Sequence, residues 1–367
     1  MANNVSKVNT ISIGSIGKIN GQNDSDLAKL NGEEFTYVPP VWSGTRAVLM
    51  GAYTYSWTPT YGSAGSSVYL NEVGYKTLDS DSNTSDWGDL NSARGVATGS
   101  GSNGTRTVQG GGNTASGFSD SIDILTAAST GTISDHGNLA LATYTGCWDG
   151  ASNGTTLLFI GGWKGGSFPY ATDMIQEMTI ASSGAADNGA DLRYWGYGQC
   201  ASMGDSKTLI LEEEFQATGK EEISYHNFVS GADATDASRV ATVPTSTAGM
   251  ANSSTRAVIA GGAGDSVGGG TVHNKIQVFT VDSSADSEDE ADLVQIIYRL
   301  SGTSDKTRGE FYGGTGSGGE YMQNDIQKIA IASISNAADC GDLAFSTGAD
   351  TYTHAGSGSG IASQTAS

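Results

Sequence analysis

Asp86-Trp87-Gly88-Asp89-Leu90 returns five more times along the chain, and its return decides the fold. The copies are Asp135-His136-Gly137-Asn138-Leu139, Asp187-Asn188-Gly189-Ala190-Asp191-Leu192 with one residue inserted, the worn Asp236-Ala237-Ser238-Arg239-Val240, Asp289-Glu290-Ala291-Asp292-Leu293 and Asp339-Cys340-Gly341-Asp342-Leu343. A second register falls 18 to 20 residues after the start of each of the first five boxes, at Thr105, Thr155, Lys207, Thr255 and Thr307, with an earlier member at Thr45. Four of these openings are Thr-Arg pairs, carrying Arg46, Arg106, Arg256 and Arg308. Successive openings are 60, 50, 52, 48 and 52 residues apart. A period near 50 is the size of a four-stranded propeller blade. The expectation is an all-β chain folded as a six-bladed β-propeller, with a seventh, incomplete blade as the alternative.

Within each repeat a short apolar strand follows the opening, as in Arg46-Ala47-Val48-Leu49-Met50 and Arg256-Ala257-Val258-Ile259-Ala260. It ends in glycines in four copies: Gly110-Gly111-Gly112, Gly161-Gly162, Gly261-Gly262 and Gly313-Gly314. We read it as the inner strand, with glycine letting neighbouring blades converge on the axis. A variable loop, a partly alternating strand such as Ile276-Gln277-Val278-Phe279-Thr280, a polar turn, the box and a less regular outer segment complete the meander. Repeat 4 departs most, with Glu212-Glu213-Glu214 in place of the glycines. The half-repeat after the last box is read as completing the sixth blade. Closure by an N-terminal strand is the alternative.

Residues 1–40 carry a different, 11-residue repeat: Val5-Ser6-Lys7-Val8-Asn9, Ile16-Gly17-Lys18-Ile19-Asn20 and Leu27-Ala28-Lys29-Leu30-Asn31. Asn-Gly follows the second apolar residue of the second and third units, which signals tight turns rather than a helix. We therefore divide the chain into a docking segment, 1–36, and a propeller, 37–367. Lys7, Val8, Lys18, Ile19, Lys29 and Leu30 are the candidate docking residues, because such small units must bury their apolar side chains on something else.

The formal charge of −21 disfavours nucleic acid and anionic membranes as partners. No stretch is apolar enough to serve as a leader or to enter a membrane, so assembly in a cytoplasm is expected. Cys147, Cys200 and Cys340 sit at repeat-related or unrelated places and are expected to remain free thiols.

The glycine doublets look like those of kelch repeats but lack the Tyr and Trp that kelch blades carry at later offsets. A wider resemblance covers almost the whole chain. Lys18-Ile19-Asn20-Gly21-Gln22, Ser25-Asp26-Leu27-Ala28-Lys29-Leu30-Asn31-Gly32-Glu33 and the repeat Ser102-Asn103-Gly104-Thr105-Arg106 … Ile122-Asp123-Ile124-Leu125-Thr126 resemble virion structural proteins of tailed phages, cyanophages especially. The resemblance implies a virion component of tail-fibre or spike type, with a capsid decoration protein as the second reading. It also implies other virion proteins as partners, host-surface glycan or protein as ligand, and a homo-oligomer.

An enzyme is the third reading, since glycosidases use propellers. A sialidase Asp box needs an aromatic three residues after its glycine, where this chain has Asn91, Ala140 and Ala344. Glu212-Glu213-Glu214 could direct two carboxylates into a central channel, as a glycosidase requires. His136, His226, His273 and His354 show no metal-ligand spacing, and neither a catalytic residue nor a cofactor is expected. Polar turns such as Asp79–Asn83 read as solvated rather than calcium-binding. The recurring arginines read as structural, with the box aspartates as their expected partners. The surface signal is aromatic: Tyr53, Tyr55, Trp57 and Tyr61 in repeat 1, and Trp163, Phe168 and Tyr170 in repeat 3. They either fill gaps between blades or recognise sugar or protein.

Overall fold

The computed structural model describes residues 7–8, 11–12, 18–19, 22–23, 29–30, 33–34, 46–56, 66–95, 99–126, 133–143, 151–166, 170–194, 200–202, 207–213, 221–228, 231–239, 248–253, 255–263, 272–281, 285–298, 300–316, 323–344 and 359–363. Through 34, and at 52–56, 66–68, 200–202, 359–363 and a few isolated positions, only the backbone is described.

Contacts divide the chain into two compact units, Met1–Val41 and Trp42–Ser367. In the first, three two-stranded hairpins pair Lys7–Val8 with Ile11–Ser12, Lys18–Ile19 with Gln22–Asn23 and Lys29–Leu30 with Glu33–Glu34. Asn20-Gly21 and Asn31-Gly32 are the residues between the second and third pairs, where a two-residue hairpin loop favours Asn-Gly.

The second unit is a six-bladed β-propeller. Six four-stranded antiparallel sheets follow one another, and the innermost strand of each neighbours those of the two flanking sheets. Blade 2 is representative: Gly99–Ser102, Arg106–Gly110, Ser121–Thr126 and Ser134–Asn138, from axis to rim. Blade 1 takes its innermost strand, Ser359–Ser363, from the C-terminal end of the chain, paired with Arg46–Met50 in the register Ser359↔Met50 to Ser363↔Arg46. The returning half-repeat therefore completes the first blade, not the sixth, and the ring has six blades.

The strand after each opening is second from the axis, which corrects our reading of it as innermost. The true innermost strands lie in the segments taken as irregular. They escape pattern reading because they hold small residues, such as Gly99-Ser100-Gly101-Ser102 and Ser301-Gly302-Thr303-Ser304, all buried. Crowding at the axis demands this: a Cβ on Gly302 would stand 2.3 Å from the Met250 carbonyl oxygen of the preceding blade. In blades 2, 5 and 6 the glycines instead make the turn out of the second strand, with Gly261 and Gly262 at φ +66° and +107°, while Gly161-Gly162 is a bulge within the longer second strand of blade 3.

The boxes are the rim strands. Asp339, Cys340 and Gly341 form a bulge opposite Ile326 and Gln327, and the Asp339 Oδ1 accepts the Gly341 N–H at 3.0 Å. Asp135 and Asp187 do the same for Gly137 and Gly189. The residue before the box leucine then latches to the following blade: the carbonyls of Asn138, Asp191, Asp292 and Asp342 accept from the N–H groups of Ala185, Ala234, Ala337 and Thr84. The last of these joins blade 6 to blade 1. In blades 2, 3, 5 and 6 one side chain at the opening, Asn103, Asn153, Ser253 or Asp305, accepts two backbone N–H groups and so fixes the turn.

Between the sheets, the third-strand side chain of one blade meets the second-strand side chain of the blade before it. Leu125 shares a cluster with Val48, Met178 with Val108, Phe279 with Leu209 and Ile329 with Val258. Each such side chain stabilises the ring by about 1.5–3 kcal/mol through burial.

Candidate functional site

The antiparallel order puts all openings on one face of the ring and all glycine turns on the other. The glycine face carries the extended loops. In blade 3 the second strand runs on to Trp163 and the third begins at Ala171, paired with it. The Lys164 N–H donates to the Tyr170 carbonyl at 2.7 Å, closing the loop at its base. This holds the Trp163 and Tyr170 rings stacked, with centroids 5.1 Å apart and planes 8° from parallel. Tyr170 is 37% exposed and Trp163 half-buried. Phe118, on the neighbouring hairpin of blade 2, is 38% exposed and lies over Gly165, where an added Cβ would meet its ring at 2.4 Å. Phe118 was not among the sequence candidates; only its place after a blade's glycines could have suggested it. Together the three rings make an aromatic platform able to stack on a flat apolar face.

Of the other candidates, Tyr53 and Tyr55 lie on the extended second strand of blade 1, where Tyr53 pairs with Tyr69. Trp57, Tyr61 and Phe168 lie outside the described residues. The docking residues Lys7, Val8, Lys18, Ile19, Lys29 and Leu30 all fall on the strands of the three hairpins.

The acidic stretch of blade 4 does not open on a channel through Glu212. That side chain is fully buried, and its Oε2 accepts the Tyr194 N–H at 3.2 Å. Burial pushes its carboxyl up to about 7, against weaker opposing effects of the nearby Ser224 hydroxyl and the Arg193 backbone. Its cross-strand partner Glu222 binds Arg193 at 2.5 Å and the Tyr194 hydroxyl at 3.2 Å. The pair thus holds one carboxyl that keeps its proton well above the ordinary range and one salt-bridged carboxylate, but the former has no exposed surface for a substrate to reach. Glu213 and Glu214 carry no described side chain.

The opening arginines reach places other than box aspartates. Arg308 binds Asp81 at 3.0 Å, in the polar turn of the next blade, and its own strand's Glu310 at 2.6 Å. Arg256 donates to the Ile331 carbonyl of the next blade at 3.3 Å. Arg46 lies over the Tyr75 and Trp87 rings. Asp81, read as a solvated turn residue, is also held by Lys328, and that hydrogen bond lowers its carboxyl below the ordinary range. Cys340 is a free, buried thiol, pushed up by burial and by Glu310 beside it. Among the described residues no group of three or more His, Cys, Asp or Glu is placed to hold a metal ion, and no helix is long and apolar enough to cross a membrane.

No protein-family model matches the chain, and no curated protein sequence does either.

Proposed function

We propose that this chain is a non-enzymatic structural protein of a phage particle. Its hairpin segment attaches it to other virion proteins, and its propeller presents loops to the host surface or to neighbouring subunits. One observation carries the recognition part of this reading. The residues that recur from blade to blade serve the turns, bulges and latches that join the ring, whereas the residues peculiar to blade 3 put Trp163 and Tyr170 stacked and accessible on the loop face. A rigid ring with individual loops suits recognition. The particle itself is supported by the sequence resemblance of the N-terminal hairpins and the repeats.

Gold-labelled antibody to residues 41–367 should decorate tails or fibres of purified particles. Label spread over heads would favour a decoration protein, and unlabelled particles would end the virion reading. Within a labelled particle, Trp163→Ala with Tyr170→Ala should impair adsorption to the host without loss of the protein from particles. Removing residues 1–36 should do the reverse of the second effect, leaving a folded ring that no longer joins the particle. Unimpaired adsorption by the double variant would assign the platform to packing alone.

A further inference from the structure

The ring contains a slot that is filled at two blade boundaries and open at a third. In every repeat the turn between third and rim strands has a serine at its fourth position: Ser80, Ser129, Ser182, Ser230, Ser283 and Ser333. The turn spans eight residues in five repeats, as in Thr77 to Thr84 and Ala330 to Ala337, but seven in blade 3, Thr179 to Ala185. In blades 1 and 6 the residue after the serine reaches back to the preceding blade. Asp81 places its carboxylate on Arg308 and Lys328, and Ile334 packs on the apolar cluster between blades 5 and 6. The corresponding residue of blade 3 is Ser183, which is short and exposed.

On blade 2, at the positions equivalent to those that hold Asp81, lies a cleft of about 280 Å³ lined by Arg106, Ile124, Thr126, Ser134, Asp135 and His136. Arg106 corresponds to Arg308 and Ile124 to Lys328 by strand register. Arg106 is exposed and has no ion-pair partner among the described residues. Asp135 is the one acidic group in the lining, and its Oδ1 is turned to the Gly137 N–H. Asp339 makes the same bond in blade 6, where a carboxylate is nevertheless bound.

We propose that this cleft binds a small carboxylate that also carries hydroxyl groups, an acidic sugar of the uronic acid class. Arg106 takes the carboxylate, as Arg308 takes Asp81. The Thr126 and Ser134 hydroxyls meet the ring hydroxyls, and Ile124 lies against an apolar ring face. Guanidinium suits the carboxylate because it donates several N–H bonds from one plane. The volume exceeds what an aspartate side chain fills, which favours a sugar over an acidic residue of a partner protein. The inference does not depend on the particle role proposed above.

Isothermal titration of the full chain with sodium glucuronate tests it, with glucose, acetate and an acidic tripeptide as comparison probes. Saturable binding of glucuronate is expected, with no binding of glucose and weaker binding of acetate. Arg106→Gln should weaken it about tenfold or more, the loss of a charged hydrogen bond. Ser183→Asp should block it by supplying an internal carboxylate, and both variants should melt at or above the parent temperature. No saturable binding of glucuronate would overturn the proposal. So would binding indifferent to both variants, glucose or acetate bound as tightly, or preference for the tripeptide, which would make the slot a protein contact.

Discussion

The boundary between blades 6 and 1 and the boundary one step back, between blades 5 and 6, use the same backbone for opposite chemistry. Between blades 5 and 6, Val258 faces Ile329 within an apolar cluster. At the equivalent positions between blades 6 and 1, Glu310 faces Lys76, 3.1 Å apart and with neither side chain exposed. Around them Arg308, the Tyr312 hydroxyl and the Cys340 thiol complete a buried polar group, with Tyr312 donating to Glu310 at 2.5 Å. The charged boundary is the seam, where blades distant in sequence must find each other. An ion pair contributes little net stability once desolvation is counted, but it penalises every wrong partner. A purely apolar face would accept any blade; a buried glutamate accepts the one that brings a lysine.

Breaking one half of the pair should give the largest effect. Glu310→Val leaves Lys76 buried beside Arg308 and should cost about 3–5 kcal/mol. Adding Lys76→Leu should recover most of that loss, to within roughly 1 kcal/mol of the parent or beyond it. Denaturant unfolding followed by circular dichroism measures both. If the pair selects the seam, the double variant will be stable yet refold with more domain-swapped oligomer on size-exclusion chromatography. A double variant as unstable as the single one would mean that the seam is held by the pair rather than specified by it.

The ring was legible in the sequence because its period survives in turns and boxes, where backbone geometry demands Asn, Asp and Gly. The closing strand was misplaced because Ser359–Ser363 resembles any innermost strand, and those strands share only small size. Apolar periodicity could not reveal them, since what selects Gly101 and Gly302 is the nearness of a neighbouring blade. The aromatic residues were legible as candidates, but their stacking was not, because it follows from the closed loop between Lys164 and Tyr170. The open slot on blade 2 depends on a single missing residue in the turn of blade 3. That deletion stands in the sequence, but its meaning needs the neighbouring blade.

The second buried glutamate sharpens the comparison. Glu212 occupies a position that is Gly111, Gly161 or Gly261 in other blades, and no cation is in direct contact with its carboxyl among the described residues. Its folded value of about 7 lies above the ordinary 4.5 because burial disfavours the charge. Below pH 4.5 both folded and unfolded states bind the proton and nothing is lost. Between pH 4.5 and 7 only the unfolded state releases it, so stability falls as pH rises through this window and then levels off. Glu212→Gln keeps an acceptor for the Tyr194 N–H and removes the titration. It should be nearly neutral at pH 4.5 and stabilising by roughly 3 kcal/mol at pH 8. Equal effects at both pH values would show that the glutamate is ionised in the folded ring.

The seam blade also bears the one strained opening among the described residues. Gly104 and Gly154 stand at φ +87° and +82°, but blade 6 has Lys306 at +76°. A side chain there brings its Cβ close to the following carbonyl, at about 1–2 kcal/mol. Glycine relieves this but makes the unfolded chain freer, which returns part of the gain. Lys306→Gly should therefore raise stability by about 0.5–1 kcal/mol in denaturant unfolding. Lys306→Asn separates strain from charge, because it also removes the cation while tolerating the left-handed backbone better than lysine. An improvement from glycine and asparagine alike would locate the effect in the turn. A loss from both would show instead that, on a chain of charge −21, this lysine stabilises the ring by its charge.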